Sequence, residues 1–333
     1  MPIAGNELIF RRAALASDTV PAQNGGRMTS AAVVSSVKNN LFPDVTQAQR
    51  LAGAEHYRKV FLHVASAAEA EMIDAKVFLE DVTPGDGYVL LYAGTQSDTQ
   101  NEVIGRPYGV GRLAAAIAAD ALQLVVDFEH AEFANLRPIR VGDAIRVANM
   151  PATGGSGAEA FAMVDNVIWS GLTATVTLTA ALGAAFDPAA GSVTVASVLT
   201  YASIKAGATV PVSATAGGTH SGAKPAGSNR GTVLQNWTLT FTSSTAFRLD
   251  GDVLGVGVAS GTTAAAFSPA NPAGGVYFSI PSDVWGGSWV AGDTLTFSTE
   301  PAAIPLWLQR VTPAGAASVS GDNVAIGIQG ESA

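Results

Sequence analysis

Gly142-Asp143-Ala144-Ile145-Arg146-Val147 and Gly251-Asp252-Val253-Leu254-Gly255-Val256 share one device, which returns in Gly292-Asp293-Thr294-Leu295-Thr296-Phe297 and Gly321-Asp322-Asn323-Val324-Ala325-Ile326. Each reads as a turn that launches a strand. Gly tolerates a positive φ, Asp hydrogen-bonds nearby backbone, and apolar residues then fall at alternate positions. Recurrence from residue 142 to residue 326 predicts a mainly β protein. The spacing between the four copies is unequal, so no solenoid repeat is expected.

Outward from these turns the chain divides into five stretches. Residues 1–45 hold Pro2, Pro21, Gly25-Gly26 and Pro43 with one strand candidate, Leu8-Ile9-Phe10, and read as an extended N-terminal arm. Residues 46–104 open on a helical turn or two, Thr46 to Ala54, capped by Asp44 or Thr46. The strand Tyr57–Val64 follows, and then a β-hairpin in which Ala75–Glu80 passes through Pro84-Gly85-Asp86-Gly87 into Tyr88–Tyr92.

Residues 105–200 contain the best helix by propensity, a short Ala-rich one at Leu113–Leu122. Strands at Leu124–Phe128, Ala144–Ala148, Ala160–Trp169 and Thr173–Leu182 then predict a small β-barrel or sandwich, either inserted or continuous with its surroundings. Residues 201–230, rich in Ala, Gly, Ser and Thr, read as a flexible linker or long loop ordered by a neighbouring molecule. Residues 231–333 carry regularly spaced strand candidates from Val233 to Ile328 and predict a C-terminal β-sandwich. The expected architecture is two β-sandwich or barrel regions with an extended arm and one Ala-rich helix.

Composition narrows the function. Charged residues are 14% of the 333, against about 25% in an ordinary soluble protein. Residues 1–150 carry 13 Lys/Arg and 17 Asp/Glu, whereas residues 151–333 carry 5 and 10. So little charge in the second part favours surface covered by other subunits over surface left in water. The net charge of −9, with no basic run longer than Arg11-Arg12 or Arg58-Lys59, argues against a dedicated nucleic-acid binder. Cysteine is absent, which removes disulfides, thiolate metal sites and cysteine nucleophiles. The first residues lack a charged segment followed by an apolar one, and Val110–Val126 is interrupted by Arg112, Asp120 and Gln123, so neither an export signal nor a membrane span is expected.

No catalytic, cofactor-binding or metal-binding residue is assigned. Gly255-Val-Gly257-Val-Ala-Ser-Gly261 approaches a dinucleotide fingerprint but has the wrong final spacing and no strand-then-helix context, and reads as a glycine-rich strand with a bulge. His56 and His63 fall on opposite faces of one strand, and His130 and His220 are isolated. Asp127/Glu129 and Asp250/Asp252 each share a strand face, which suits turns and solvated edges better than a cation site. No Gly-x-Ser-x-Gly elbow supports a serine hydrolase. Asn236-Trp-Thr238 matches a glycosylation acceptor inside an expected strand. Trp285, Trp289, Phe297 and Trp307 crowd the last fifty residues; they suit a core, and Trp285-Gly-Gly-Ser-Trp289 is where a carbohydrate-binding surface would sit.

Glu7-Leu-Ile-Phe-Arg11, Gly25-Gly-Arg27-Met-Thr, Gly94-Thr-Gln96, Asp98-Thr-Gln100, Phe267-x-Pro269-x-Asn271-Pro272 and Ile304-Pro-Leu-Trp307-Leu-Gln-Arg310-Val-Thr-Pro313-Ala-Gly315 together resemble virion proteins of Mu-like bacteriophages with long flexible tails. The resemblance spans nearly the whole chain through scattered motifs and carries no catalytic signature. Within that group the chain looks most like a major tail tube protein. That resemblance implies β-sandwich subunits in stacked homo-oligomeric rings, contacts with tape-measure and head-tail connector proteins, and an acidic conduit through which DNA passes without specific binding. It also implies a place in the virion tail after assembly in the host cytoplasm, with no membrane, cofactor or enzymatic activity. A distal tail or baseplate protein, another virion component and a carbohydrate-binding receptor protein are the alternatives.

Overall fold

The computed structural model describes residues 2–149, 157–214 and 217–333; residues 150–156 of the 105–200 stretch and 215–216 of the 201–230 stretch lie outside the described residues. The chain is mainly β. Its first strands are β1 (Leu8–Leu15), β2 (Gly25–Ala32), β3 (Ala54–Val64), β4 (Met72–Leu79) and β5 (Tyr88–Ala93). Next come β6 (Val110–Leu113), β7 (Gln123–Asp127), β8 (Ala144–Ala148), β9 (Glu159–Ser170), β10 (Thr173–Leu178) and β11 (Thr194–Ile204). A third run holds β12 (Gly207–Ala208), β13 (Val212–Ala214), β14 (Gly218–His220), β15 (Ala226–Gly227), β16 (Gln235–Phe241), β17 (Ala246–Gly251), β18 (Gly255–Thr262), β19 (Phe278–Ser279), β20 (Trp285–Gly287) and β21 (Thr294–Glu300). Two long strands close the chain, β22 (Ala303–Thr312) and β23 (Ile326–Ser332).

The founding unit is a sandwich. One sheet has the order β2-β1-β3-β22-β5, and the other is the β23-β4-β11 end of a longer sheet. Val60 and Leu62 of β3 and Leu306 and Leu308 of β22 are buried in one cluster with Val77 of β4 and Val198 of β11. Each such side chain contributes about 1.5–3 kcal/mol on leaving water. Because β22 lies between β3 and β5, the sandwich is complete only when residues 303–312 return to its centre.

β11 links this sandwich to a barrel. Its first residues, Thr194 to Val198, pair with β8 and β6, while Leu199 to Ile204 pair with β4. The order β11-β6-β7-β10-β9-β8, closed by β8 on β11, makes a six-stranded barrel without free edges. Alternation fills it: Ile145 and Val147, Ala174 and Val176, and Leu124 and Val126 point inward. On the same logic Arg146 points out of the barrel, where it pairs with Glu159 and lies over the Phe78 ring of the sandwich at 4.7 Å.

Residues 207–300 form a third unit around β16, β17 and β21, with Trp237, Leu239, Phe241, Phe247, Leu249 and Leu295 in its core. Its chain ends meet, since Gly207 pairs with Glu300. The barrel and this unit are therefore two excursions from one sandwich.

The structure corrects several expectations. Leu113–Leu122 is not a helix: Leu113 ends β6, and the amides of Ala114 and Ile117 donate to Val125 and Phe186 as the barrel closes. Alanine propensity is worth only a fraction of a kcal/mol per residue and yields to this pairing. Among the described residues the α-helices are α1 (Gln47–Ala52), capped by Thr46 and Gln49, and the short α2 (Phe133–Leu136). Pro84–Gly87 does not close a hairpin, because β4 pairs with β11 and β23 while β5 pairs with β22; the turn crosses from one sheet to the other.

The N-terminal stretch is extended, but β1 pairs onto β3 and β2 onto β1 instead of standing off the body. The described residues of the 201–230 stretch are held by their own chain, through β12 and β13 on β21, β14 on β20 and β15 on β19. Small side chains build no core there, yet they let backbone dock on backbone. Residues 303–333 belong to the founding sandwich and not to the unit built from residues 207–300.

Of the four Gly-Asp turns, two launch strands as expected, Gly142-Asp143 into β8 and Gly292-Asp293 into β21. In both, the Asp carboxylate accepts the amide three residues earlier, from Arg140 at 2.8 Å and from Val290 at 2.9 Å. Gly251-Asp252 instead ends β17, and Gly321-Asp322 precedes β23 by several residues.

The paired ends and separate core of the third unit predict that residues 207–300 expressed alone fold cooperatively, with near-ultraviolet circular dichroism from their packed tryptophans. A featureless near-ultraviolet spectrum and a non-cooperative melt would contradict this division.

Candidate functional site

β3 is buried on both faces. Val60, Leu62 and Val64 face the second sheet, as alternation requires, but Lys59, Phe61 and His63 on the other face are also shielded from water. Two structures cover them, the loop that follows β5 and the third unit.

The loop centres on Asp98. Its carboxylate lies 2.6 Å from Lys59 Nζ, with the Lys59 side chain 0% and the Asp98 side chain 5% exposed. Trp307, which stands beside Lys59 in the β3–β22 register, donates from Nε1 to Asp98 Oδ2 at 2.8 Å. Lys59 Nζ also donates to the carbonyls of Gly26 at 2.7 Å and Asp98 at 3.2 Å. Burial pushes the Lys59 ammonium below its ordinary pKa, and the Asp98 carboxylate opposes that shift.

Backbone closes around this pair. Gly26 N donates to Asp98 O at 2.8 Å, and Gln100 N donates to Asn24 O at 2.9 Å. Gly25 has φ +112°, and a Cβ there would stand 2.6 Å from Asp98 O and 2.7 Å from the Trp307 ring. Gly94 leaves similar room: a Cβ would come within 3.1 Å of that ring. Gln96 reaches across to donate to Ala303 O at 2.7 Å. Residues separated by up to 282 positions, Gly25, Gly94, Asp98 and Trp307, thus form one buried assembly.

The third unit docks beside it through two polar latches. Arg27 donates to Leu234 O at 2.8 Å and forms an ion pair with Asp252 at 3.0 Å. Burial opposes ionisation of Asp252, but hydrogen bonds from Arg27 and Asn236 prevail and hold its pKa at about 2. At the second latch, Arg11 Nε donates to His63 Nδ1 at 3.2 Å, so the ring proton sits on Nε2, which donates to Asn229 O at 2.6 Å. Burial lowers the His63 pKa, against the Asn229 carbonyl and with the help of Arg11. Glu69 accepts from Ser228 Oγ at 2.9 Å and from Asn229 N, fixing the same segment.

The other singled-out residues are held apart. His56 meets Gln49 and Arg310, His130 stacks on Tyr88 at 4.6 Å, and His220 meets the edge of Trp285. Asp127 accepts from Thr173 while Glu129 pairs with Arg112; Asp250 pairs with Arg248 while Asp252 pairs with Arg27. Each neighbouring carboxylate therefore answers to its own partner. Among the described residues no group of three or more His, Asp or Glu is placed to hold a metal ion, and no helix is long and apolar enough to cross a membrane.

Gly255 to Gly261 lies in β18, an edge strand with an irregular register against β17. Asn236 is engaged by Asp252. Trp289 is only 4% exposed and stacks on Phe241 at 4.1 Å, so its faces offer no platform to a sugar. Exposed apolar groups lie elsewhere, among them Val253 and Leu254 at the β17–β18 turn, Val256 at the start of β18, and Ile104.

Sequence reasoning met Lys59 as one position of a strand and as half of the Arg58-Lys59 pair, and gave Asp98 no role beyond a motif. The signal was a lysine set between two aromatic residues, Tyr57 and Phe61, on one face of its strand, but its partner comes from a separate loop.

Asp98→Ala leaves a buried ammonium without its counter-charge and is expected to cost about 3–5 kcal/mol, read from equilibrium denaturant unfolding. A loss below about 1 kcal/mol, the range of exposed pairs, would contradict the role given to this pair. No protein-family model matches the chain, and neither curated proteins nor solved structures give a match to it.

Proposed function

We propose that this chain is a structural virion protein of long-tailed bacteriophages, and within that class the major tail tube protein. The observation that carries the reading is where the resembling motifs fall. Gly25-Gly26, Gly94, Gln96, Asp98, Gln100 and Trp307 are spent on one buried framework contact, and Arg27 and Asn271 on the backbone of the third unit. Motif residues used to brace a scaffold suit a load-bearing subunit better than an enzyme.

Three further features support it. A sandwich with two excursions gives a subunit several surfaces for neighbours, and many weak contacts add to a firm assembly. Uncharged apolar groups such as Val256, 76% exposed, suit burial between subunits. A net charge of −9 suits a conduit that repels DNA and lets it slide. On this reading the protein stacks as rings, meets the tape-measure and head-tail connector proteins, and acts in the virion tail. Burial of Trp289 weighs against the carbohydrate-binding alternative.

Negative-stain electron microscopy of the purified protein across a concentration series tests the reading. Hollow tubes of constant diameter are expected. Isolated rings would move the assignment to a distal or connector component, and a persistent monomer would count against self-assembly.

A further inference from the structure

We propose that Lys59 and Asp98 condense into an intramolecular amide bond, joining β3 covalently to the loop after β5. The inference is independent of the tail-tube reading and rests on the site beneath Trp307.

Three observations lead to it. The pair is sealed, with side-chain exposures of 0% and 5%, so no water competes for either group. The contact is also short. Nζ lies 2.6 Å from Oδ1, yet outside the angles of a hydrogen bond to it, and the hydrogen bonds that Nζ does make run to the Gly26 and Asp98 carbonyls. The two carboxylate oxygens are also unequal. Oδ2 is held by Trp307 Nε1 at 2.8 Å, whereas Oδ1 accepts no hydrogen bond of ordinary geometry. One oxygen is thus retained and stabilised, and the other is free to leave.

Burial favours the neutral amine from which the reaction starts. Two opposite charges in a dry site are costly, and moving one proton from the ammonium to the carboxylate removes both. Burial lowers the lysine pKa in the required direction, against the Asp98 carboxylate and the Phe61 ring, whose centre lies 4.8 Å from Nζ and favours the cation. Glu102 is the other carboxylate whose charge reaches Lys59, but it is engaged by Thr99 N and Oγ1 and does not touch Nζ.

The chemistry balances without an added reagent. After proton transfer to Oδ1, the Nζ lone pair adds to Cγ, and negative charge develops on Oδ2 against the Trp307 N–H. Nζ then gives a second proton to Oδ1, and the Cγ–Oδ1 bond breaks with its electron pair leaving on oxygen as water. The amide that remains keeps Oδ2 on Trp307 and one N–H for the Gly26 carbonyl. It carries no charge, so the product escapes the burial cost of the ion pair. In a chain without cysteine, this bond provides a covalent staple that no disulfide supplies.

The test is mass spectrometry of the full-length protein, intact and after digestion. The expected result is a chain lighter than its sequence by one water, with a branched peptide joining the Lys59 and Asp98 segments and no tryptic cleavage after Lys59. Lys59→Arg, which keeps the cation but removes the amine, is expected at the full sequence mass. A wild-type chain at full mass, or a water loss that persists in Lys59→Arg, would overturn the proposal. Both readings are made on the denatured chain, so they hold whether or not the variant folds.

Discussion

The founding sandwich is arranged around a lysine that has no access to water. Lys59 sits on the central part of a sheet whose two faces are both covered, and a buried ammonium is tolerated only where acceptors surround it. Asp98 and the carbonyl of Gly26 meet that need, and each must be brought from a different part of the chain. The loop after β5 folds back to deliver Asp98. β2 pairs at the edge of the sheet to deliver Gly26, and β22 threads between β3 and β5 to deliver Trp307. One electrostatic requirement therefore ties the start, the middle and the end of the sandwich together.

The same constraint explains the order of the units. The barrel leaves the sandwich between β5 and β11 and shares β11 with it, so the two cores are joined along one continuous strand. The third unit leaves after β11 and returns at β22, and Arg27, two residues beyond Gly25, holds it by Asp252. Backbone placed to serve Lys59 thereby also positions the latch to the third unit. Of the polar groups in the second part of the chain, Asn229 and Asp252 are committed to these latches.

Local chemistry in the sequence was enough to read the strands and much less of their pairing. Ala144–Ala148 and Thr173–Leu178 were legible because alternation and turn residues are local. The pairing of β22 with β3 was not, since it joins residues some 250 positions apart and periodicity carries no partner. Leu113–Leu122 misled because alanine favours helix only weakly and barrel closure supplied stronger bonds. Pro84–Gly87 misled because a turn sequence fixes a reversal but not whether the strands it joins share a sheet. The second face of β3 was hidden for a related reason. Alternation places Lys59 and His63 on one face of β3 but does not show the loop and the unit that cover that face. The motifs that carry the phage resemblance were visible as residues, but their convergence on Asp98 appears only in three dimensions.

The most direct test of this account is residue-resolved hydrogen exchange on Trp307→Phe, which keeps the aromatic packing but removes the N–H that holds Asp98. The account predicts that the amides of Gly26 and Gln100, bonded to Asp98 O and Asn24 O, lose protection together with those of β3, while the barrel strand β10 keeps its protection. Unchanged exchange at Gly26 and Gln100 would contradict the claim that the Lys59–Asp98–Trp307 contact holds the sandwich together.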